Sequence, residues 1–229
     1  MEAEDGSIEA DPYGAAMWPA AQVLAQAAVV YADRLRNRPG ARVLELGAGC
    51  GLASLTFLAL GIPVHATDAR ELPLQLLEEA ARQQGTAELL TLEVFNVKDF
   101  SQVLPPADLV IASDVLYEAS VARAMAQRIA EARRRGSAVL VADQGRPNAA
   151  IFFEELRRLR PEDTVEVSCH GVAVQRNEQA MVEVSAPHDK QPLEIEVGIL
   201  ELPPGPAAEQ VRRAHPCIAV RPEGHSRSL

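Results

Sequence analysis

From Pro19 to Arg36 the apolar side chains Val23, Leu24, Ala27, Ala28, Tyr31 and Leu35 recur at helical spacing, and Pro19 suits a first helical turn. A covering helix is expected there. Beyond it the pattern alternates between short apolar runs and amphipathic stretches. Strands are read over Arg42–Leu46, Pro63–Thr67, Glu88–Phe95, Asp108–Ala112 and Ala138–Ala142, and helices over Leu52–Leu60, Leu72–Gln84, Ser120–Arg135 and Ala149–Leu159. Buried strands joined by helices predict a parallel sheet covered on both faces. After Arg160 the character changes: Thr164–Ala173, Ala180–Val184 and Leu193–Leu200 alternate apolar with polar residues, with no long helix between them. Such alternation predicts antiparallel strands finishing one edge. The fold class expected is α/β, a doubly wound Rossmann-like seven-stranded sheet, mostly parallel with an antiparallel C-terminal edge.

The chain has 229 residues, enough for one well-buried domain. Residues 15–202 are read as that domain, residues 1–14 as a flexible acidic N-terminus, and the Pro/Gly-rich residues 203–229 as a loosely ordered tail. Acidic side chains number 32 against 22 basic ones, a net charge of −10, which disfavours a nucleic-acid backbone as partner. No apolar run reaches the ~18 residues needed to cross a bilayer. The N-terminal "MEAEDGSIEADPYG" carries acids where a secretory or transit signal carries bases, so a cytoplasmic protein is expected, and a monomer. Cys50, Cys169 and Cys217 are far apart and form no C-x-x-C pair, which reads as reduced structural thiols and implies no metal.

The chemistry concentrates where strands end. "VLELGAGCGL" places Glu45 before Gly47, Ala48, Gly49 and Gly51, directly after the first strand and opening a helix. A dinucleotide fold has G-x-G-x-x-G, its third glycine allowing close helix packing below a pyrophosphate, yet here that third position is Leu52. Glu45 adds an anion that would repel a pyrophosphate and attract a cationic amino-acid end. The second strand runs into Asp68, about 20 residues past the first glycine, where an acid chelates ribose hydroxyls. Together these features favour S-adenosylmethionine over NAD. The third strand ends at Asn96-Val97, which reads equally as an adenine edge or as a turn. "DLVIASDVLYE" runs a buried strand into Ser113, Asp114 and Tyr117; the acid and the phenol read equally as site residues or as a helix cap and a core residue.

The segments "MWPAAQVLAQ", "VLELGAGCGLASL", "HATD" and "DLVIASDVLYE" resemble the seven-strand protein-lysine methyltransferases of methyltransferase family 16, across about residues 15–160. The Trp-Pro helix start combined with a D-x-x-Y motif is the specific part of the resemblance. It implies that Glu45, Gly47, Ala48 and Gly49 line the methionine end of S-adenosylmethionine, that Asp68 holds its ribose, that Asn96 and Val97 flank adenine, and that Ser113 and Trp18 lie beside the cofactor. It also implies that Asp114 and Tyr117 shape the entrance for a substrate lysine. Many relatives carry Asp-Trp where this chain has Asn96-Val97, so an aromatic stacking face is absent. The function expected is methyl transfer to a lysine amine of a protein. Open alternatives are a small molecule, protein arginine or histidine as acceptor, and a non-catalytic module that binds a cofactor or a protein.

Overall fold

The computed structural model describes residue 14 and residues 16–163, 166–174 and 193–202. Expectations for the N-terminal residues 1–13, for Ala180–Val184 and for the tail after 202 lie outside these residues.

A helix α1 (Pro19–Arg36) leads into β1 (Val43–Leu46), α2 (Leu52–Ala59), β2 (Val64–Asp68), α3 (Glu71–Gln84) and β3 (Leu90–Val94). There follow β4 (Leu109–Ser113), α4 (Ala119–Arg134), β5 (Ala138–Asp143), α5 (Ala149–Leu159), β6 (Glu166–Val174) and β7 (Leu193–Leu202). The expected strand from Glu88 begins two residues late, because Ala87–Leu89 form a turn of 3-10 helix before β3 starts.

The sheet order is β3-β2-β1-β4-β5-β7-β6. Strands β1 to β5 pair in parallel, and β7 runs antiparallel to both β5 and β6. The last strand in sequence therefore inserts inside the sheet, and β6 takes the edge. Period-two alternation divides each central strand between two cores. Val43 of β1 and Ile111 of β4 pack into a core with Val23, Leu24, Phe57 and Leu77, under α1, α2 and α3. Leu44 and Val110 pack into the opposite core with Met125, Ile129 and Phe152, under α4 and α5. The Tyr31 hydroxyl of α1 donates to the Glu201 carboxylate of β7, which ties the first helix to the last strand. Burial and that carboxylate push the phenol's pKa up.

The chain leaves β1 toward β2 and β3 on one side, then returns through β4 and β5 on the other. The carboxyl ends of β1 and β4 thus form the point where strand order reverses, and open α/β sheets bind ligands in that crevice.

Candidate active site at the carboxyl ends of the strands

Four adjacent parallel strands each carry an acid at this edge: Asp68 on β2, Glu45 on β1, Asp114 directly after β4, and Asp143 on β5. Of the four, Glu45, Asp114 and Asp143 are buried and Asp68 is half-buried, and the Arg146 guanidinium stands beside Asp114.

Asp68 joins two loops. Its Oδ2 accepts the Gly49 amide at 2.9 Å and its Oδ1 accepts the Arg70 amide at 3.0 Å. The carbonyl of Asp68 accepts the Phe95 amide at 2.8 Å, which aligns the end of β3 with that of β2.

The glycine loop is held by contacts that require glycine at two positions. Gly47 has φ 69°, and a Cβ there would lie 2.7 Å from Val115 Cγ1, so the residue after Asp114 packs directly on the loop. Gly51 has φ 74°, and its Cβ would lie 2.4 Å from Leu77 Cδ1 of α3. Close helix packing, which Leu52 in the dinucleotide position would forbid, is thus supplied by Gly51 one residue earlier. Ala48 is buried, and its amide donates to the Thr67 carbonyl at 2.8 Å.

Glu45 is 1% exposed, and its Oε2 accepts the Ser54 amide at 3.1 Å together with the Ser54 hydroxyl. The carboxylate holds the first turn of α2 rather than facing open solvent. Burial raises its pKa to about 7; the Ser54 bonds pull it down, and the charge of Asp68 adds to the rise.

Asp114 has φ 55°, the one positive φ outside glycine among the described residues. Aspartate tolerates this left-handed region better than most residues. The Asp114 amide still donates to Ala142 at 2.9 Å, so the turn begins where the β4–β5 pairing stops. Its Oδ2 accepts the Ala20 amide at 3.1 Å, satisfying an N-terminal donor of α1. Asp114 therefore caps the first helix, not the one that follows it. Its Oδ1 and Arg146 Nε face each other at 3.5 Å, with no hydrogen bond closed between them. Burial raises the pKa of Asp114, and the Ala20 amide and the Arg146 guanidinium oppose that rise. Asp143 behaves alike: burial raises it, and the Arg146 amide, which donates to Oδ1 at 2.7 Å, opposes.

Trp18 is half-buried at the N-cap of α1, with the Arg146 guanidinium 5.1 Å from its ring centroid. Ser113 ends β4, half-buried beside Asp114. Tyr117 is 63% exposed, so it is not a core residue. Asn96 is exposed: its amide donates to Gln102 Oε1 at 2.9 Å and its Oδ1 accepts the Lys98 amide at 3.0 Å, an Asx turn, with Val97 half-buried next to it. Asp143 and Arg146 were not singled out from the sequence, although "VLVADQGR" repeats the pattern of an apolar strand running into an acid that marks Asp68 and Asp114. Among the described residues no cluster of histidine, cysteine and acids fit for a metal ion occurs, and no helix is long and apolar enough to cross a membrane.

These residues fit S-adenosylmethionine. The loop offers backbone almost without side chains, and Asp68 ends the neighbouring strand beside it, with its Oδ2 on the Gly49 amide. A family model described as lysine methyltransferase matches residues 6–159. The histone-arginine methyltransferase METTL23 of Xenopus laevis is 34% identical over 46% of this chain and 46% of its own length. The electron transfer flavoprotein beta subunit lysine methyltransferase of Xenopus laevis is 30% identical over 66% of this chain and 59% of its own length. The chain thus spans about half the length of these relatives. Among solved structures, PH1948 of Pyrococcus horikoshii superposes with a TM-score of 0.58 at 18% identity, covering 84% of this chain and 90% of that one. A SAM-dependent O-methyltransferase of Thermotoga maritima does so with a TM-score of 0.54 at 15% identity, over 87% and 68% of the two chains. At such identities the likeness is one of fold.

Proposed function

This chain belongs to the lysine methyltransferase family, and from that premise we propose that it transfers methyl groups from S-adenosylmethionine to a lysine side-chain amine of a protein substrate. The observation that carries the reading is the junction of two loops: Val115 packs on Gly47, so the neighbouring Asp114 stands beside the loop that would hold the cofactor's methionine end. An acid that attracts a cationic acceptor and the loop that holds the donor therefore share one rigid contact.

In this reading Gly47, Ala48 and Gly49 receive the methionine end, with Glu45 behind them holding the loop and adding negative potential. Asp68 receives the ribose hydroxyls, Asn96 and Val97 flank adenine, and Trp18 and Ser113 border the reacting end. Bound S-adenosylmethionine supplies an electrophilic methyl on sulfur. The rest of catalysis is alignment of an amine lone pair opposite the departing sulfur. A lysine amine, with a reference pKa of about 10.4, arrives protonated. Asp114 attracts and orients it, Tyr117 at the exposed rim limits its approach, and the proton leaves to water before attack. We place the protein in the cytoplasm as a monomer, with residues 15–202 as its catalytic domain and without a nucleic-acid substrate.

A second reading, arginine as acceptor, draws on the frog relative named a histone-arginine methyltransferase. The two separate by experiment: the purified chain is incubated with cell extract and S-adenosylmethionine labelled in its methyl group, and labelled protein is hydrolysed to amino acids. Label in methylated lysine supports the proposal, and label in methylated arginine replaces it with the second reading. Failure of the folded chain to bind S-adenosylhomocysteine in calorimetry overturns both.

A further inference from the structure

The largest side chain among the fully buried ones is charged. Arg128, on α4, is 2% exposed. Its Nε donates to the Val97 carbonyl at 3.2 Å, Nη1 to the Gln102 carbonyl at 3.1 Å, and Nη2 to the Asp99 carbonyl at 2.6 Å. Nη1 also donates to Glu131 Oε2 at 3.0 Å. The guanidinium carbon lies 4.9 Å from the ring centroid of Phe95 and 4.6 Å from that of Phe100.

Burying a cation is costly unless its donors are satisfied, and here the partners come mainly from one loop. A hydrophobic residue would fill the same volume and bind nothing. The planar fork instead reaches three carbonyls of the loop after β3 and fixes its path. That loop starts at Phe95, whose amide is bonded to the Asp68 carbonyl at 2.8 Å, and is closed from inside by Gln102 on the Asn96 amide at 2.9 Å. Arg128 is therefore the point at which the opposite helical layer sets the position of Asn96 and Val97 relative to Asp68. Val97 has no aromatic face to offer a purine, and the Asn96 backbone amide and Oδ1 are bonded within the loop, so placement of the remaining backbone groups and of the Asn96 Nδ2 is what this segment can contribute.

We infer that Arg128 is a positioning residue for the adenine subsite: it holds Asn96 and Val97 in register with Asp68 without touching the base, and so sets the chain's preference for an adenine over another purine. This rests on the S-adenosylmethionine reading above. The consequence differs from that of a core residue, whose loss weakens the whole fold without favouring one purine over another.

The test is calorimetric titration of the full chain and its Arg128→Met variant with S-adenosylhomocysteine and with S-inosylhomocysteine, which differs from it only on the purine's six-membered ring. The wild-type chain is expected to prefer the adenine compound. In Arg128→Met, affinity for that compound is expected to fall about tenfold, with the preference collapsing toward equality. Binding of both compounds by wild type with equal affinity overturns the inference, as does a folded Arg128→Met that keeps the wild-type preference. No binding by the wild type instead sinks the cofactor reading itself, a distinguishable failure. Should Arg128→Met not fold, Phe100→Ala removes the partly exposed ring against the guanidinium and leaves the core intact. A loss of about threefold in S-adenosylhomocysteine affinity with a reduced preference supports the inference, and wild-type behaviour overturns it.

Discussion

Asp114 and Ala20 are 94 residues apart, and the carboxylate of the first accepts the amide of the second at 3.1 Å. The acid placed beside the glycine loop is thus also the cap of α1. Glu45 repeats the device, accepting the Ser54 amide in the first turn of α2. Acids at the strand ends thus fix helix starts around the crevice.

The capping role of Asp114 and its proposed part in methyl transfer separate by substitution. Asp114→Asn keeps an acceptor for Ala20 and tolerates φ 55°, so its stability should stay within about 1 kcal/mol of wild type, while methyl transfer falls if the charge orients the amine. Asp114→Ala loses the cap and meets strain in the left-handed region, a cost of about 2 kcal/mol. Urea unfolding of both variants, together with transfer assays, reads the two effects apart. An Asn variant with full activity would deny the charge any catalytic part.

Glu45 makes stability depend on pH. Its pKa is about 7 in the folded chain against an ordinary 4.5, so between these values the folded state holds more protons than the unfolded one. The associated stabilisation is complete below about pH 4.5 and is lost as pH rises through 7, a change of about 3 kcal/mol. Burial raises Asp114 and Asp143 in the same direction. Glu45→Gln keeps an acceptor for Ser54 and removes the titration, so its unfolding free energy should vary less than that of wild type over this window. Identical profiles would mean that Glu45 titrates normally.

Gly51 tests the displaced packing glycine. An alanine there meets both φ 74° and Leu77 Cδ1 at 2.4 Å, with Leu77 itself fully buried. Strain and overpacking together should cost about 2–3 kcal/mol. Thermal unfolding of Gly51→Ala measures it, and Leu77→Ala in the same chain should relieve part of the clash.

Asp68 holds the Gly49 and Arg70 amides, and the proposed site adds a binding role. Asp68→Asn is expected to keep one acceptor for the Gly49 or Arg70 amide, to fold like wild type, and to lose at least about tenfold in S-adenosylhomocysteine affinity. Asp68→Ala releases both loops and should lose more. Wild-type affinity in the Asn variant would remove Asp68 from the cofactor site.

The order of elements, the two-sided core and the acids Asp68 and Asp114 at strand ends were legible in the sequence, because apolar periodicity reports burial and an acid after an apolar strand stands out against it. The glycines of the loop were legible for the same local reason. What the linear pattern lacked was partners. Nothing along the chain says that β7 inserts between β5 and β6, since strand order depends on which edges remain open once the parallel strands have formed. Nothing local shows that Asp114 caps α1, that Glu45 turns to Ser54, or that Asp143 and Arg146 join the same edge.

Arg128 marks the limit most plainly. On a helical wheel an arginine reads as solvated surface, yet it is fully buried here because three carbonyls, a carboxylate and two rings surround it. Sequence by itself determined which segments become strands and helices and which residue types carry chemistry, since those follow from periodicity and backbone conformation. Tertiary structure alone decided which charges are paired and how the loops are held, because hydrogen bonds and ion pairs act over a few ångströms between residues that the chain sets up to 170 positions apart.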